Sequence, residues 1–432
     1  MKHKLKKNTL AFMLLNGALI STASASGFKL LEQNASGIGN AYAGSAVVAE
    51  NASAAFFNPA SMTYLPGLNI SGGFSLVRPS FKFKDSGQST GPLALNSGRP
   101  VVGGGSGGDA GNLGFLPNFH ITYQATDDLF LGLSVGAPFG LKTSYRDNNW
   151  IGNYHSRDFD IRTININPSI AYRVSPNWSV GAGLNIQRIS AEYRLGTLIP
   201  HPHPLMQGTF LPGDAEVKMK DTALSWNIGT VFQPTESTRL GLIYRSRIKH
   251  KASGHTDVNY NGNKVANYKA STTIELPDTA VFSISHQLTP RWLLLGDIAW
   301  TGWSSIPELV IKNAGGPSNS LPLKFRDTWR FAVGAQYKIN DSWTWKAGIA
   351  TDKAPIASDA DRPTALPDNN RLWLSTGVQY KRKNLAVDVG YTYLHIKKAK
   401  INNRDLAATR GIVHGEYSGR GHLFGVQLSY RF

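Results

Sequence analysis

The feature that most constrains this chain is a strand-length alternation of apolar and polar residues that recurs fourteen times. In the segment RTININPSIAYRV, at 162–174, isoleucine, proline, tyrosine and valine occupy one set of alternate positions, and polar or small residues occupy the other. Alternate residues of a β-strand share one face, so each segment has an apolar face and a polar face. A run of about ten such residues is the length of a tilted transmembrane β-strand.

The fourteen segments are joined alternately by short turns and long loops. The segments lie near 68–81, 117–125, 129–141, 162–174, 178–187, 223–233, 238–250, 279–288, 292–303, 328–338, 343–352, 371–381, 384–396 and 421–432. The short turns are 125–128, 175–177, 234–237, 289–291, 340–342 and 381–383. The loops between them are roughly fifteen to thirty-five residues long and rich in Gly, Asn, Asp and Pro.

This alternation of turns and loops predicts an all-β fold, a 14-stranded antiparallel transmembrane β-barrel with periplasmic turns and extracellular loops. An even number of strands closes the sheet with no free edge, which a lipid environment requires. The location we expect is the outer membrane of a Gram-negative bacterium. A large soluble all-β protein, such as a propeller, would not combine an export signal, alternating loop lengths and apolar outward faces.

Both ends of the chain agree with export. Residues 1–25 combine four lysines, an apolar run at 10–20 and the small residues Ala23-Ser24-Ala25, which is typical of a signal peptide. We expect the mature chain to begin at Ser26. The last segment, HLFGVQLSYRF, ends on Phe432 and resembles the C-terminal signal of barrel proteins.

Composition narrows the class of protein further. No run of about 18 apolar residues follows the signal, which excludes a helical membrane protein, and there is no cysteine for a disulfide framework. Removing the four signal lysines from the formal net charge of +17 leaves +13 for the mature chain. For an exported protein this charge favours an anionic membrane surface or ligand over nucleic acid.

The segment before the first strand, 26–66, does not alternate. It is rich in Gly and Ala but contains large apolar residues, among them Phe56, Phe57 and Tyr64. Forty residues are too few for a stable domain, and a 14-stranded barrel has a lumen wide enough to need filling. We therefore predict three parts: a signal peptide (1–25), an N-terminal hatch plugging the lumen (26–66) and the barrel (67–432).

A set of motifs in a fixed order connects the chain to a known family. The start of the mature chain, SGFKLLEQNASGIGNAYAGSAVVAENASAAFFNPASM, is similar to the N-terminal hatch of the FadL family, outer-membrane transporters of long-chain fatty acids and other hydrophobic compounds. Further matches are PFGL at 138–141, YRSRIKHKASG at 244–254, LP at 276–277, WS at 303–304, RDTWRFAVGAQY at 326–337, KAGIATDKAP at 346–355 and LPDNNR at 366–371. The resemblance covers the whole mature chain and implies a 14-stranded barrel plugged by the hatch.

The resemblance also implies functional positions. In the family an extracellular loop captures ligand in an apolar groove, and the segment 194–221 is its counterpart here; exposed apolar clusters usually mark binding. Its apolar residues are Leu195, Leu198, Ile199, Leu205, Met206, Phe210 and Leu211. The alternative is that they pack on neighbouring loops. His201 and His203 have no nearby carboxylate in sequence, so we expect no metal site.

Two hatch positions are singled out. Asn58, Pro59 and Ala60 are expected to form a sharp turn that anchors the hatch to the wall, with Asn58 capping backbone groups. Phe28 resembles the family's buried N-terminal segment, which contacts ligand and moves on binding. Simple packing of the plug is the alternative for Phe28.

Strand three is expected to be interrupted. Gly136, Pro138 and Gly140 lie within it, and proline removes a donor from a ladder that is everywhere central in a closed barrel. In the family this strand kinks inward and opens a lateral window to the bilayer. The alternative is that Pro138 lies above the membrane, where the ladder ends.

Strand seven carries the residues that discriminate between substrates. Its alternation places Leu240, Leu242, Tyr244 and Ile248 on the lipid face, so the lumen face carries the cations Arg239, Arg245, Arg247 and Lys249. Cations in an apolar passage favour a carboxylate headgroup and gain nothing from toluene. They could instead pair with Asp297 and Asp388, which the same alternation places on the lumen face, or with the hatch acids Glu32 and Glu50. Those nearer the rim could meet anionic surface lipid.

The function predicted from these observations is passive uptake of a hydrophobic ligand, long-chain fatty acid above all, by a monomer without a bound cofactor. Its other expected partners are outer-membrane lipid and lipopolysaccharide. An uptake channel for toluene-type aromatic hydrocarbons is the alternative within the family. A general porin is disfavoured by the hatch. A barrel lipase is disfavoured because the chain has no nucleophile elbow and no metal-ligand spacing, so we expect no enzyme activity.

Overall fold

The computed structural model of the protein describes residues 27–96, 103–147 and 149–432. Its strands are β1 (Leu68–Asp85), β2 (Gly114–Gln124), β3 (Leu129–Gly136), β4 (Gly140–Ser144), β5 (Asp158–Ser175), β6 (Trp178–Pro200), β7 (Phe210–Thr235), β8 (Thr238–Arg245), β9 (Ile248–Tyr260), β10 (Asn263–Leu276), β11 (Thr279–Gln287), β12 (Trp292–Thr301), β13 (Glu308–Asn313), β14 (Asn319–Pro322), β15 (Thr328–Lys338), β16 (Trp343–Asp352), β17 (Arg371–Arg382), β18 (Leu385–Asn403) and β19 (Val413–Arg431). The predicted signal peptide and Ser26 lie outside the described residues.

Helical structure in the described ranges is confined to short turns. The α-helices are α1 (Ala54–Phe57) and α2 (Ala407–Arg410), and 3-10 turns occupy Ile38–Asn40, Pro59–Tyr64, Leu93–Asn96, Pro204–Met206 and Trp303–Ser305. Among the described residues, no helix is long and apolar enough to cross a membrane.

The strands close into one antiparallel barrel. β1 pairs with β2 on one side and with β19 on the other, so the sheet has no free edge between first and last strands. Three barrel strands are each built from two pieces, namely β3 with β4, β8 with β9, and β10 with β11. The β13–β14 hairpin is an addition that pairs with β10. The predicted 14-stranded barrel is confirmed.

The wall shows the alternation that the sequence predicts. Its outward side chains are apolar and exposed, for example Leu224 at 63% and Leu428 at 54%, while Asn167 and Asn185 point inward and are buried. Aromatic pairs stand on neighbouring strands near the short turns, where Trp343 and Tyr380 have ring centroids 4.8 Å apart. These features suit a lipid-facing surface with an aromatic girdle.

Two predicted loops are largely strand. The segment 194–221 is the end of β6, a tip at 201–209 and the start of β7, and the segment after 250 is the β9–β10 hairpin. β7 pairs with β9 above the membrane, so these hairpins continue the wall. Their sequences predict loops because the outward faces carry charged residues where the membrane strands carry apolar ones. Only the inward faces are apolar.

The prediction that Arg247 and Lys249 face the lumen is wrong. Ile243 is buried on the inward face of β8, but in β9 it is Ile248 that is buried, so the parity of inward positions changes between them. The pairing with β7 shifts by one residue across Ser246 and Arg247, as in a β-bulge. One extra residue turns every later side chain to the opposite face.

The N-terminal segment from Gly27 contacts the inward face of the wall. The turn Ile38–Asn40 lies so close to the wall that a Cβ on Gly348 would stand 2.3 Å from the carbonyl carbon of Asn40. Gly334, Gly377, Gly390 and Gly425 extend this glycine row across β15–β19, and each has the same segment as a near neighbour. The polar-or-glycine faces of the strands therefore provide a close-fitting seat for it.

Candidate ligand pocket and wall interruption

The third strand is interrupted at Ala137–Phe139, as the sequence predicts. β3 pairs with β5 as far as Gly136, and β4 resumes pairing with β5 at Gly140 with a shift of one residue. On the other side, the β2 ladder ends at the pair Phe119↔Val135. The next link between these two stretches of chain is the isolated bridge Gly111↔Thr143. The wall therefore has a gap in its ladder between 112–118 and 136–142.

The gap is lined from inside by the start of the N-terminal segment. Gly140 N–H donates to the Phe28 carbonyl and Leu30 N–H donates to the Pro138 carbonyl, both at 2.8 Å. The Gln33 side chain donates to the Ala137 carbonyl, also at 2.8 Å. Backbone groups that the interruption leaves without a strand partner are thus paired with residues 28–33.

Phe28 packs on the inner side of this gap and does not line the cavity between the wall and the N-terminal segment. Its ring centroid lies 4.8 Å from that of Trp303 and 6.2 Å from that of Phe139. All three residues belong to an apolar cluster that continues along the inward faces of the extracellular hairpins, through Tyr193, Met219 and others. This cluster forms a continuous apolar interior from the hairpins down to the gap.

A cavity lies against the gap and has three cations in its wall. Pro138 and Phe139 line it together with Leu30, Leu31 and Phe56, and its cationic groups are Lys29, Arg245 and Arg330. Asp297 and Asp352 also line it. An apolar cavity with a few convergent charged groups is typical of a site for an amphipathic ligand.

Arg245 has no carboxylate within ion-pairing distance among the described residues. Its Nη2 donates to the Phe56 carbonyl at 2.8 Å, and its Nη1 donates to Asn185 Oδ1. The guanidinium also lies over the Phe56 ring, 4.4 Å from its centroid. These contacts fix the side chain in place and leave its charge uncompensated.

Arg247 and Lys249 lie on the outside instead. The Arg247 Nε is 3.0 Å from Asp278 Oδ1, and the Lys249 Nζ is 2.7 Å from Glu275 Oε1. Both side chains are about half exposed. Of the three cations predicted to meet ligand, only Arg245 reaches the cavity.

Lys29 and Arg330 were missed in the sequence. Lys29 lies in the N-terminal segment, whose sequence has no regular periodicity, and burial lowers its pKa to about 8, against an opposing effect of Asp352. The Arg330 Nη2 donates to the Ala41 carbonyl at 2.6 Å. In β15, Arg330 occupies an inward position between Thr328 and Ala332, so the alternation marks it as a lumen-facing cation.

The Asn58-Pro59-Ala60 turn touches the wall through its first residue. Asn58 Oδ1 accepts from Ala60 N–H at 3.1 Å, while its Nδ2 donates to the carbonyls of Ala46 and Thr230. Thr230 belongs to β7, so one amide both caps the local turn and ties the segment to the barrel.

The apolar residues predicted to capture ligand are distributed along the β6–β7 hairpin. Leu195 belongs to the buried apolar cluster. Leu198, Ile199, Phe210 and Leu211 are half-buried on its strands, whereas at the tip Leu205 is 90% exposed and Met206 is 45% exposed. Of these seven residues, only Leu205 and Met206, at the tip, are exposed. The described residues hold no cluster of three His, Asp or Glu suited to a metal, and His201 and His203 lie at this tip.

Two comparisons of sequence agree with the fold. The chain matches the model of a family described as outer membrane protein transport protein (OMPP1/FadL/TodX) over residues 17–432. It is 30% identical to the long-chain fatty acid transport protein of Escherichia coli O6:H1, over 96% of each chain. It is 31% identical to outer membrane protein P1 of Haemophilus influenzae, over 99% of this chain and 100% of that protein.

Solved structures give the same picture. A FadL homologue of Pseudomonas aeruginosa matches with a TM-score of 0.85 and 27% identity, over 94% of this chain and 100% of that chain. The toluene transporter TodX of Pseudomonas putida matches with a TM-score of 0.67, over 96% of this chain and 100% of that chain. At 15% identity, the second likeness concerns the fold alone.

Proposed function

This chain belongs to the outer membrane protein transport protein family (OMPP1/FadL/TodX), and we propose that within that family it is a passive uptake channel for long-chain fatty acids. The observation that carries the proposal is Arg245, a cation without an ionic partner beside an apolar cavity. A carboxylate headgroup would neutralise it while the alkyl chain occupies the apolar interior. A neutral aromatic hydrocarbon would leave the charge uncompensated.

The proposed route follows the apolar interior. Ligand first meets the exposed tip of the β6–β7 hairpin at Leu205 and Met206, then enters the cavity between the wall and residues 28–57. It leaves sideways through the gap beside Pro138, once residues 28–33 release their backbone bonds to the wall. No ATP or bound cofactor takes part.

The segment 26–66 acts as a hatch in this proposal. Its polar ties to the wall support that role: Asp297 accepts from Gly44 N–H at 2.7 Å and Ser45 Oγ at 2.6 Å, and Lys346 joins Glu50 at 2.6 Å to Asp388 at 3.0 Å. These ties are on β12, β16 and β18, and Asn58 adds a bond to Thr230 of β7, so the hatch can stay seated while only residues 28–33 move. We propose that the channel works as a monomer.

Competition binding of oleate and toluene tests the substrate. Arg245→Ala should weaken oleate binding roughly tenfold and leave toluene binding unchanged, since only the carboxylate loses a charge-assisted hydrogen bond. Arg247→Ala is the matched control, because that arginine lies outside the cavity and is paired with Asp278; it should change neither affinity by more than about twofold. Equal losses for both ligands, or a wild type that prefers toluene, would refute the fatty acid assignment.

A further inference from the structure

The outward face of three adjacent strands at the barrel seam carries a dense group of cations. β18, β19 and β1 are neighbours in the wall, and their outward positions beyond the apolar band are mostly basic. The exposed cations there include six that hold no carboxylate among the described residues, namely Arg78, Lys82, Lys84, Lys397, Lys400 and Arg420. They occupy the end of the strands opposite to the short turns, which is the extracellular end. We call this surface the seam patch.

The register places these cations in successive rows. Across the three strands Tyr393, His422 and Arg78 are partners, and the next outward row is His395, Arg420 and Ser80. Further out, Lys82 stands opposite Ser418, and Lys84 and Lys400 flank Glu416. Neighbouring strands lie about 4.8 Å apart, so the patch is about 10 Å wide.

The seam patch begins where the lipid-facing surface ends. The row below Arg78 is Tyr391, Phe424 and Leu76, which is apolar, and Phe424 is 42% exposed. Tyr391 Oη and His422 Nδ1 are hydrogen-bonded at 2.8 Å, which marks the change from apolar to polar surface. Residues one row outside an apolar band lie at the depth of lipid headgroups.

The six cations of the seam patch are not paired with one another or with other side chains in the part of the chain that the structure describes. None of the six has a side-chain hydrogen bond or ion pair with another described residue; the nearby acids are Glu416, which is paired with Lys398 at 2.9 Å, and Asp109, which is bonded to Ser80. On β4–β9 at the same end of the barrel, four of the outward cations, Lys142, Arg162, Lys218 and Lys249, each hold a carboxylate within 3.3 Å. Six like charges lie together around one acid, Glu416, which is already paired with Lys398, and such a surface favours binding of an external anion.

We infer that the seam patch binds the phosphorylated headgroup of the outer-leaflet glycolipid, lipopolysaccharide. Phosphate is the ligand that clustered Lys and Arg recognise best, and the depth of the patch matches a lipid whose acyl chains cover the apolar rows below. The ring edges of Tyr391, Tyr393 and His422 provide the contact surface for the sugar that carries the phosphates. The glycolipid then also covers the strands at which the barrel closes.

The test uses the full chain in non-ionic detergent with bisphosphorylated lipid A as the probe and native mass spectrometry as the readout. Arg78→Gln/Lys82→Gln/Lys397→Gln/Arg420→Gln should lower lipid A affinity at least about tenfold, since each basic group near an anionic lipid surface contributes substantially. The matched control Lys142→Gln/Arg162→Gln/Lys218→Gln/Lys249→Gln removes the same charge and should lower affinity less than about threefold. Heat-modifiable migration on gels checks that both variants are folded.

The inference would be overturned by equal affinity in wild type and seam variant, by an equal loss in the control, or by equally tight binding of lipid A stripped of phosphate. Equal affinity for phosphatidylglycerol would also overturn it, because it would show a general anionic belt in place of a glycolipid site. A further variant exchanging Lys and Arg at the four seam positions keeps the charge and should keep affinity within about threefold. If it binds as weakly as the glutamine variant, phosphate recognition by charge is not the cause.

Discussion

The barrel wall is interrupted in two regions, and they differ in what occupies the gap. At Ala137–Phe139 the ladder is open toward β2, and the missing backbone partners come from residues 28–33 of the N-terminal segment. At Ser246–Arg247 and Pro277–Asp278 the strands on both sides resume pairing at once, and Arg247 and Tyr244 close the place through Asp278. Both regions contain a proline. Because a separable segment fills only the first of these two gaps, we propose that the first gap is the one that opens.

The occupants also differ in how well their charges are compensated. Glu32, within the segment that fills the first gap, is buried, and neither of its carboxylate oxygens has a well-formed hydrogen bond. Asp278 at the second gap accepts from Arg247 at 3.0 Å and from Tyr244 at 2.9 Å. The segment that fills the first gap buries a carboxylate without well-formed hydrogen bonds, which costs free energy. At the second gap the carboxylate is hydrogen-bonded.

Sealing the first gap should have the largest effect. Gly136→Thr/Pro138→Val/Gly140→Thr supplies β-formers and restores the missing donor at 138, which should favour continuous pairing of the third strand. We expect oleate uptake by cells to fall more than about tenfold while oleate binding by the folded protein persists. Unchanged uptake in a well-folded variant would contradict a lateral exit at this place. The corresponding change at the second gap, Pro277→Val, is the control and should leave uptake within about twofold.

Relieving the cost at Glu32 should strengthen the seating of residues 28–33. Burial raises the pKa of Glu32 to about 7, with Arg371 opposing the shift. A raised pKa means that seating is strongest below about pH 4.5 and weakens as pH rises to about 7, by about 3 kcal/mol in all. Hydrogen exchange of these residues, corrected for intrinsic rates, should therefore be faster at pH 8 than at pH 5.5.

Glu32→Gln should remove that pH dependence and protect the segment at pH 8. A neutral amide of the same shape carries no charge to desolvate. If the wild type and Glu32→Gln exchange alike at both values of pH, Glu32 does not weaken the seating of the segment. The two gaps would then not differ in the free-energy cost of the carboxylates that they bury.

Titrating Lys29 should change ligand affinity by a smaller amount. Its pKa is lowered to about 8, chiefly by burial, so it is charged at pH 7 and neutral at pH 9.5. Oleate remains a carboxylate throughout, so its affinity should fall roughly tenfold or less as pH rises through 8. Lys29→Gln should bind oleate with little change over the same range. A fall that is as steep in Lys29→Gln as in the wild type would assign the titration to another group.

The smallest effect is expected at the second gap. Asp278→Ala removes an ion pair whose arginine is about half exposed, and such pairs contribute at most about 1 kcal/mol. Thermal denaturation should show a small loss of stability, with oleate uptake unchanged. A large loss of uptake would mean that this region, too, takes part in transport.

The sequence alone determined the architecture of this protein. Period-two alternation decides which face of a strand meets lipid. All fourteen segments show this alternation because lipid requires an apolar outward face. Pro138 likewise predicts the interruption of strand three, since proline has no backbone N–H to donate to a neighbouring strand. It also marked Asp297 and Asp388 as inward, and both are buried.

Only the tertiary structure decided which charges meet in the lumen. A single extra residue at Ser246–Arg247 reverses the faces beyond it, and no feature of the local sequence fixes where a bulge is placed, since its position follows from pairing with β7. Lys29 and Arg330 line the same cavity although they are about three hundred residues apart in the chain. The segment around Lys29 has no periodicity from which the direction of its side chains could be predicted. Alternation reports the face of a residue, whereas proximity across a closed barrel depends on register and on the seating of the N-terminal segment, which are set by pairing and packing of the whole wall.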